Sequence, residues 1–517
     1  MSDIRPVDLA TAATSAAADD YLLLDGATQG TRKLLAAGAG GAVEHYGASP
    51  TASAADNRTA ILAALSAHGR ALFVGDGVYE CDPITLSAPA IFDLGRATLK
   101  LPTGALAALL RVETSNVVIR GGTLDGNDVA QHLVQCPSPP DPGRENLLLD
   151  GVMFVNSGTH PFRISGSSTA FPFRDVVVRN CTFIDCKGHN VYVNWDAPGV
   201  TVTHCRFVRS EQNAIYVGSR SHRAMITHNV IEAPGRMGIE VWGQTTGTEY
   251  PNEHVTVAYN RVRDGDSSFG AGVNAGISID QCPGALVTGN LIENMTGSLT
   301  LEAKFCPNSL IYDNRVINST GVGISVDSSS GAMVRGNYVA DVGGVGILMV
   351  NAPSGHLKII DNDIINSGSF GIEFANEHHP DSLVQGNRIL SSGSRGITRE
   401  GGTTQRLRVI GNEIYDPAGD AIRASFSDEM QVYDNVIKAT ASTARAIYIY
   451  NTTNTNVMRN KVVGFDGTGG VGVQNGGSTT GWGTTDALIA DNDLRGAATA
   501  IVSDGQSTGT TTRDNQT

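Results

Sequence analysis

One short pattern recurs along most of the chain and limits strongly what the chain can fold into. An apolar strand leads to an Asn, a second apolar strand follows, and a Gly-containing turn precedes a third strand; residues 309–317 (SLIYDNRVI) and 382–389 (SLVQGNRI) are examples. Successive Asn residues are 23 to 32 positions apart. They are Asn229, Asn260, Asn290, Asn314, Asn337, Asn362, Asn387, Asn412, Asn435, Asn460 and Asn492. Such a repeat predicts a solenoid, in which one core grows along an axis.

Three short strands in each repeat predict an all-β protein, a single-stranded right-handed parallel β-helix. Extending the register backwards places Cys205, Cys181, Val152 and Gly122 in the Asn column, which gives about fifteen coils. Each Asn is expected to take a left-handed turn conformation and to hydrogen-bond through its amide to the Asn of the next coil. Leucine-rich repeats would need more Leu and a helical segment, and propeller blades need about forty residues.

Composition agrees with this fold and excludes several partners. Glycine accounts for 61 residues and charged side chains for only 17%, which suits short strands joined by tight turns. The net charge of −14 and the pI near 5.3 argue against a nucleic-acid partner, because phosphates need basic side chains. No apolar run is long enough to span a bilayer, so we expect no membrane insertion. The seven cysteines are odd in number, lack zinc spacing and are expected to be reduced and buried.

The segment before the repeats carries a helix signal. Residues 41–80 read GAVEHYGASPTASAADNRTAILAALSAHGRALFVGDGVYE, in which Asp56 or Asn57 is expected to cap a helix with apolar positions Ile61, Leu62 and Leu65. This segment resembles the N-terminal part of pectate-lyase and polygalacturonase-type β-helix proteins. The resemblance implies a helix that covers the open end of the first coil. Residues 41–115 are therefore predicted to hold the capping helix and the first strands of the β-helix.

Further upstream, residues 19–35 read DDYLLLDGATQGTRKLL and are similar to a segment near the N-termini of tailed-phage spike and fibre proteins. The resemblance implies that residues 1–40 attach the chain to other virion tail proteins and that the protein is a homotrimer of the phage tail. Because the first thirty residues lack a basic region followed by an apolar one, we expect synthesis in the host cytoplasm without a signal peptide. The β-helix proper is predicted at residues 116–504, followed by a C-terminal tail at 505–517.

Side chains alternate along a strand, so the third strand of each coil divides into inward and outward positions. The first and third residues are predicted to point inward, as for Ile277, Ile324 and Ile372, and the second and fourth outward. Arg399 falls on an inward position, which predicts a bulge in its strand.

The outward positions of this strand carry the candidate site. The fourth positions of successive coils are predicted to align Trp242, Asp280, Glu302 and Asp327 in one column, with Glu240 beside the tryptophan. Like charges on neighbouring strands repel, so a purely structural face has no reason to carry three acids in a row. Two long insertions, residues 243–253 and 264–275, flank these coils and are expected to form walls.

Carboxylates in this arrangement fit the hydrolysis of a glycosidic bond. That reaction needs one carboxylic acid to protonate the leaving oxygen and a second carboxylate as base or nucleophile. The candidate catalytic residues are Asp280 and Glu302 as first choices, with Glu240 and Asp327. The aromatic faces of Trp242, Tyr192 and Tyr216 would bind sugar rings. The expected substrate is a bacterial surface polysaccharide, with no metal and no cofactor.

Other interpretations stay open at this point. The acids could bind a structural cation, or form a solvated face that keeps the protein soluble. The protein could be a non-catalytic, glycan-binding tail fibre. It could also be a cellular polysaccharide lyase or epimerase, which needs a base such as Tyr, His or Lys and a cation for the substrate carboxylate. Lys304, His378 and Arg423 lie on or near the same side, but they lie coils apart.

Overall fold

The chain stacks three short strands per coil into a parallel β-helix, as the sequence predicts. The computed structural model describes residues 21–26, 30–35 and 40–517, apart from 105–106, 139–142, 166–171, 244–250, 266–274, 352–354, 376–378, 401–403, 441, 477–482 and 504–505. Before the β-helix stand an antiparallel hairpin (Tyr21–Gly26 and Gly30–Leu35), a 3-10 helix (Val43–Tyr46) and an α-helix (Ala54–His68). Most of residues 1–40, which are predicted to attach the chain to the virion, lie outside the described residues.

Two of the three strands of each coil belong to one continuous parallel sheet. The strands before the Asn column are Arg70–Leu72, Ala90–Lys100, Val117–Asp125, Arg144–Asp150, Phe173–Arg179, Thr201–Thr203, Met225–Thr227, Thr256–Ala258, Leu286–Thr288, Leu310–Tyr312, Met333–Arg335, Lys358–Ile360, Leu383–Gln385, Arg408–Ile410, Gln431–Tyr433, Asn456–Met458, Leu488–Ala490 and Thr511–Arg513. The strands that follow it are Val78–Glu80, the second halves of Ala90–Lys100 and Val117–Asp125, then Met153–Val155, Thr182–Ile184, Arg206–Val208, Val230–Glu232, Arg261–Arg263, Leu291–Glu293, Arg315–Ser319, Tyr338–Val342, Asp363–Ser367, Arg388–Leu390, Glu413–Tyr415, Val436–Lys438 and Lys461–Val463.

The third strands form a separate parallel sheet, here called the third-strand sheet. Its members are Ile84–Leu86, Ala108–Val112, His132–Cys136, Phe162–Ile164, Val191–Val193, Ile215–Val217, Ile239–Trp242, Ile277–Asp280, Leu299–Lys304, Val322–Asp327, Ile347–Val350, Ile372–Ala375, Ile397–Glu400, Ile422–Ser425, Arg445–Tyr450, Val471–Asn475 and Thr499–Ser503. A minor two-stranded pair joins Thr404–Gln405 to Ser427–Asp428. No helix in these described segments is long and apolar enough to cross a membrane.

The solenoid has about sixteen turns, against the fifteen that the sequence predicts. The Asn column continues at both ends. Thr98 pairs with Thr123, which places Ala97 beside Gly122 one coil earlier. At the other end Asn492 donates to Asn515 Oδ1 at 2.9 Å. The prediction of a tail at residues 505–517 is therefore wrong, because the strand Thr511–Arg513 pairs with Leu488–Ala490 and begins a further coil.

The Asn side chains form a buried hydrogen-bonded ladder along the axis. Asn314 Nδ2 donates to Asn337 Oδ1 at 3.0 Å, and Asn337 Nδ2 donates to Asn362 Oδ1 at 2.9 Å. The backbone N–H of each Asn donates to the same oxygen, and Nδ2 donates also to a carbonyl of the preceding coil, as from Asn337 to Ile311. The predicted ladder is thus confirmed from Asn229 onwards.

The predicted left-handed conformation belongs to the residue before each Asn and not to the Asn itself. Asp313 and Asp361 have φ of 54°, and Gly336 has φ of 63°, whereas the ladder Asn residues keep negative φ. The left-handed residue turns the chain between the two strands, and this turn directs the next side chain inward. Aspartate and glycine at this position tolerate positive φ well.

The capping helix is present, but its N-cap differs from the prediction. Ser53, and neither Asp56 nor Asn57, is the N-cap: its Oγ accepts from the backbone N–H of Asp56 at 3.1 Å and donates to the Asp56 carboxylate at 2.7 Å. Asn57 is buried, and its Nδ2 donates to the carbonyl of Glu80 at 2.9 Å, which ties the helix to the first coil. Ile61 is fully buried, and Leu62 and Leu65 pack against the same core.

The interior confirms the inward positions of the third strand. Ile277, Ile324 and Ile372 are fully buried, and all seven cysteines are free and buried. The predicted bulge at Arg399 is wrong: it pairs in register with Phe374 and Ala424, and its side chain is buried inside the solenoid. Burial lowers the pKa of this guanidinium to about 10.

The ladder predicts a specific loss of stability. Asn362→Ala should lower the free energy of unfolding by about 3 kcal/mol or more, because two buried donors of Asn337 lose their acceptor oxygen. The measurement is urea unfolding followed by circular dichroism. Asn456→Ala is the matched control, since this half-buried side chain lies on the outer face of its strand, and it should cost less than about 1 kcal/mol. Equal losses in both variants would contradict a stabilising ladder.

Candidate functional site

The outer face of the third-strand sheet presents two neighbouring columns of side chains. Pairing between successive coils places Tyr192, Tyr216, Glu240, Ser278, Glu302 and Ser325 in one column. The second column, two residues further along each strand, contains Trp242, Asp280, Lys304 and Asp327. We call them the tyrosine–acid column and the aspartate column. All seven sequence-predicted site residues lie on this face.

The predicted position of Glu302 is wrong by two residues. Glu302 pairs with Ser278 and lies in the tyrosine–acid column, while Lys304 takes the place between Asp280 and Asp327. Leu301, and not Leu299, aligns with the inward Ile277 and Ile324 of the neighbouring coils. The fully buried Thr300 therefore takes the position before the inward residue, which glycine occupies in those coils. The three consecutive acids expected from the sequence are therefore an acid, a lysine and an acid.

Asp280 lies at the centre of the acidic residues. Its diagonal neighbours are Glu240 on the preceding coil and Glu302 on the following one, each about 8 Å away between Cα atoms at ordinary strand spacing. Asp327 is two coils away, at about 10 Å on the same basis. Lys304, on the next coil of the same column, separates the two aspartates.

The carboxyl group of Asp280 lies in a partly dehydrated environment. Its Oδ1 is buried and has no hydrogen-bond partner among the described residues. Burial raises the pKa of Asp280 to about 7; Lys304 opposes this rise, and Glu302, Asp327 and Glu240 add to it. This carboxyl is thus half protonated near neutral pH, as a general acid requires.

Glu240 is buried and Glu302 is half-buried, and both are better hydrogen-bonded than Asp280. Ser278 Oγ donates to Glu302 Oε2 at 2.8 Å, and Asn213 Nδ2 donates to Glu240 Oε2. Arg236 lies 3.6 Å from the same Glu240 oxygen. Burial raises the pKa of both glutamates, and in each case these partners or Lys304 limit the rise by favouring the ionised form.

Asp327 stands at the edge of the group and is more open to water. Its Oδ1 accepts from Ser328 Oγ at 2.7 Å and from Asn351 Nδ2 at 3.0 Å.

The aromatic side chains lie at one end of the acids. Trp242 is half-buried and pairs with Asp280 on the next coil, whereas Tyr216 pairs with Glu240. The rings of Tyr192 and Tyr216 are 5.2 Å apart, and Tyr216 is only 9% exposed. Tyr192 and Trp242 therefore offer more surface to a sugar ring than Tyr216 does.

A stack of histidines beside the tyrosines was missed by the sequence analysis. The rings of His132, His160 and His189 stack 5.9 and 5.2 Å apart, and His189 also stacks on Tyr216 at 5.1 Å. Burial lowers their pKa values to about 4, 4 and 3, so the rings are neutral at ordinary pH. The signal was present: each His precedes an inward residue of the third strand by two positions.

The remaining expectations for this face have different outcomes. Most of the two insertions expected to wall the site, residues 244–250 and 266–274, lies outside the described residues, as does His378. Among the described residues, the acids of the site included, no group of three or more His, Cys, Asp or Glu side chains is placed to hold a metal ion. The burial of Glu240 and of the Asp280 Oδ1 atom also disagrees with the interpretation of these acids as a solvated face.

The sequence matches one protein family over most of its length. The family described as "Right handed beta helix region" matches residues 110–261, 248–405 and 350–517. No curated protein sequence matches the chain.

Solved structures of several kinds are similar in architecture. The A-module of the mannuronan C-5 epimerase AlgE4 of Azotobacter vinelandii is 18% identical, with 77% of this chain and 95% of that one covered and a TM-score of 0.38. The Dettilon tailspike protein is 13% identical, with 88% and 66% covered and a TM-score of 0.30. The endo-xylogalacturonan hydrolase of Aspergillus tubingensis is 14% identical, with 69% and 94% covered and a TM-score of 0.37. These identities and scores describe a general likeness of architecture.

The raised pKa of Asp280 predicts a pH-dependent cost in stability. The unfolded carboxyl titrates near pH 4 and the folded one near 7, so the folded state binds more protons between these values and loses stability as the pH rises through them. Asp280→Asn cannot ionise and should raise the free energy of unfolding by about 1–3 kcal/mol at pH 8, with little change at pH 4. Urea unfolding at both pH values measures this difference.

Asp363→Asn is the control for that measurement. Asp363 lies on the outer surface, 3.0 Å from Arg388, and such exposed pairs contribute at most about 1 kcal/mol. The dehydrated environment of Asp280 is contradicted if Asp280→Asn does not raise the free energy of unfolding at pH 8. It is also contradicted if the rise is the same at pH 4 and pH 8.

Proposed function

The chain belongs to the right-handed β-helix family, and we propose that it binds a polysaccharide along the third-strand sheet and hydrolyses it with the acids of the two columns. The observation that carries the proposal is Asp280, a carboxyl with a buried oxygen and a pKa near 7, with Glu302 diagonally beside it. Asp280 is able to hold a proton, and the Ser278 hydroxyl and Lys304 oppose the rise that burial causes in the pKa of Glu302, so we assign the carboxylate role to Glu302. This division of roles is what glycosidic hydrolysis needs.

The reaction proceeds by a single displacement in this proposal. Asp280 donates its proton to the glycosidic oxygen as the bond to the anomeric carbon breaks. Glu302, held by the Ser278 hydroxyl, accepts a proton from the water that attacks the same carbon. A Cα separation of about 8 Å allows the two carboxyl groups to stand far enough apart for a water between them, which is the arrangement that this proposal assigns. Trp242 supports a sugar ring beside Asp280 through its apolar face.

A second candidate is β-elimination from a uronate, as in polysaccharide lyases. The observation that favours it is the position of Lys304 between Asp280 and Asp327, where an amine could neutralise a substrate carboxylate or act as a base. The two reactions are distinguished by their products. Hydrolysis releases reducing ends alone, whereas elimination also produces the ultraviolet absorbance of an unsaturated uronate.

The amide variants test the assignment of the acid and the base. Asp280→Asn and Glu302→Gln keep the shape of the side chains but remove the proton chemistry, so the rate of reducing-end release should fall by about 100-fold or more. Glycan binding should persist in both. Asp363→Asn is the control, because Asp363 lies on the outer surface of the other sheet, away from the third-strand sheet, and it should retain a rate close to wild type.

Trp242→Ala provides the contrasting variant in the same assay. Loss of a stacked aromatic contact should weaken glycan binding by about 1–3 kcal/mol. If both amide variants degrade the polysaccharide at the wild-type rate, the catalytic residues lie elsewhere.

We also propose a tailed-phage virion as the location and a bacterial surface polysaccharide as the substrate, with residues 1–40 attached to other tail proteins. The support is the similarity of residues 19–35 to the N-termini of phage spike and fibre proteins, which implies a homotrimer. Sedimentation equilibrium should then give three times the 54.1 kDa chain mass. Mass spectrometry of purified phage particles should detect the chain. A monomer that is absent from the particles would contradict this proposal, whether or not the protein cleaves glycans.

A further inference from the structure

The tyrosine–acid column continues well beyond the acids and becomes basic. After Ser325 it runs through Leu348, Glu373, Thr398, Arg423, Tyr448 and Gln474. Arg423 is five coils beyond Glu302, which corresponds to about 24 Å along the axis at ordinary strand spacing. Both positions therefore lie on one straight, continuous face.

A cavity of about 470 Å³ opens beside Arg423. Three guanidinium groups line it, those of Arg395, Arg423 and Arg445, together with one carboxylate, that of Asp420. The remaining lining residues are uncharged. The described lining thus carries an excess of two positive charges, in a protein whose net charge is −14.

The cluster is held rigidly by its own contacts. Arg445 donates to both oxygens of Asp420 at 2.8 Å, and the Asp420 side chain is only 5% exposed. The Arg445 guanidinium lies 3.7 Å from the centre of the Tyr448 ring. Arg423 lies 5.3 Å from the centres of the Tyr448 and Tyr450 rings, which stack on each other at 4.7 Å. Little side-chain entropy remains to be lost when an anion binds.

We propose that this arginine cavity is a subsite for a carboxylate group of the polysaccharide, so that the substrate is an acidic glycan lying along the third-strand sheet. The inference rests on the proposed function and specifies its substrate class. A guanidinium fork binds a carboxylate through paired, charge-assisted hydrogen bonds. The stacked tyrosines are nearly fully buried, and their rings hold the guanidinium groups in place for this contact.

The charges along the face determine how such a substrate would bind. Glu240, Asp280 and Glu302 repel an anionic sugar at the proposed cleavage position, whereas Arg423 and Arg445 attract one about 24 Å away. A glycan with neutral sugars beside the acids and a uronate beside the arginines is attracted at the second position and avoids repulsion at the first. A uniformly charged polyanion is repelled by the acids, and a neutral polymer gains nothing from the arginines.

Binding to matched polysaccharides tests the subsite. The ligands are a panel of bacterial capsular and exopolysaccharides that contain uronates, each with its carboxyl-reduced counterpart. The binding protein is the full chain carrying Asp280→Asn, so that cleavage does not consume the ligand. It should bind at least one carboxylated polymer about tenfold more tightly than the reduced form, the effect of one charge-assisted contact. In this background Arg423→Gln or Arg395→Gln should bring the ratio close to one.

The control removes the same charge elsewhere. Arg459 is exposed and donates to Asp434 at 2.7 and 2.9 Å on another face of the coil, so Arg459→Gln should keep the preference. The inference is overturned if no polymer is bound more tightly than its reduced form, or if the preference survives both cavity variants. Reducing-end release by the wild type is measured in parallel. Hydrolysis without a carboxylate preference rejects the subsite alone, and a preference without hydrolysis rejects only the proposed reaction.

Discussion

Alignment of successive coils is the constraint on which the rest of the molecule depends. Each ladder Asn, such as Asn337, offers two donors to the oxygen of the next Asn and a third contact to the preceding coil. A coil that slipped by one residue would place a polar amide outside and leave buried donors unpaired. The ladder therefore keeps coils with insertions of different length in the same register. As a result, the outward side chains of successive coils line up in straight columns.

Straight columns let a β-helix concentrate groups that destabilise one another. Burial raises the pKa of Asp280, Glu240 and Glu302, and the neighbouring acids add to the rise, which costs stability at neutral pH. Lys304 and Ser278 relieve part of that cost by a charge and a hydrogen bond. The surrounding sheets keep these groups in place because their backbone pairing is independent of the outward side chains. Rigidity of the scaffold is what allows a strained set of charges to persist.

The same face carries opposite charges at its two ends. Acids lie beside Trp242 and Tyr216, and arginines lie beside Tyr448 and Tyr450. A long, straight ligand is able to contact both ends at once, whereas a small molecule contacts one. A solenoid of parallel strands suits a polymer for this reason, since its binding surface grows with each added coil.

The sequence by itself determined the solenoid, the Asn ladder, the inward isoleucines and the face that carries the acids and aromatic rings, because these follow from alternation and from a repeat. The repeat spacing also extends to Asn515, 23 residues after Asn492, and so contains the last coil as well. Only the tertiary structure decided that Glu302 lies two residues from its predicted place and that Lys304 stands between the aspartates. A slip of two residues keeps every side chain on the same face, so the apolar pattern cannot detect it, and only hydrogen bonding to neighbouring coils determines which residues are adjacent.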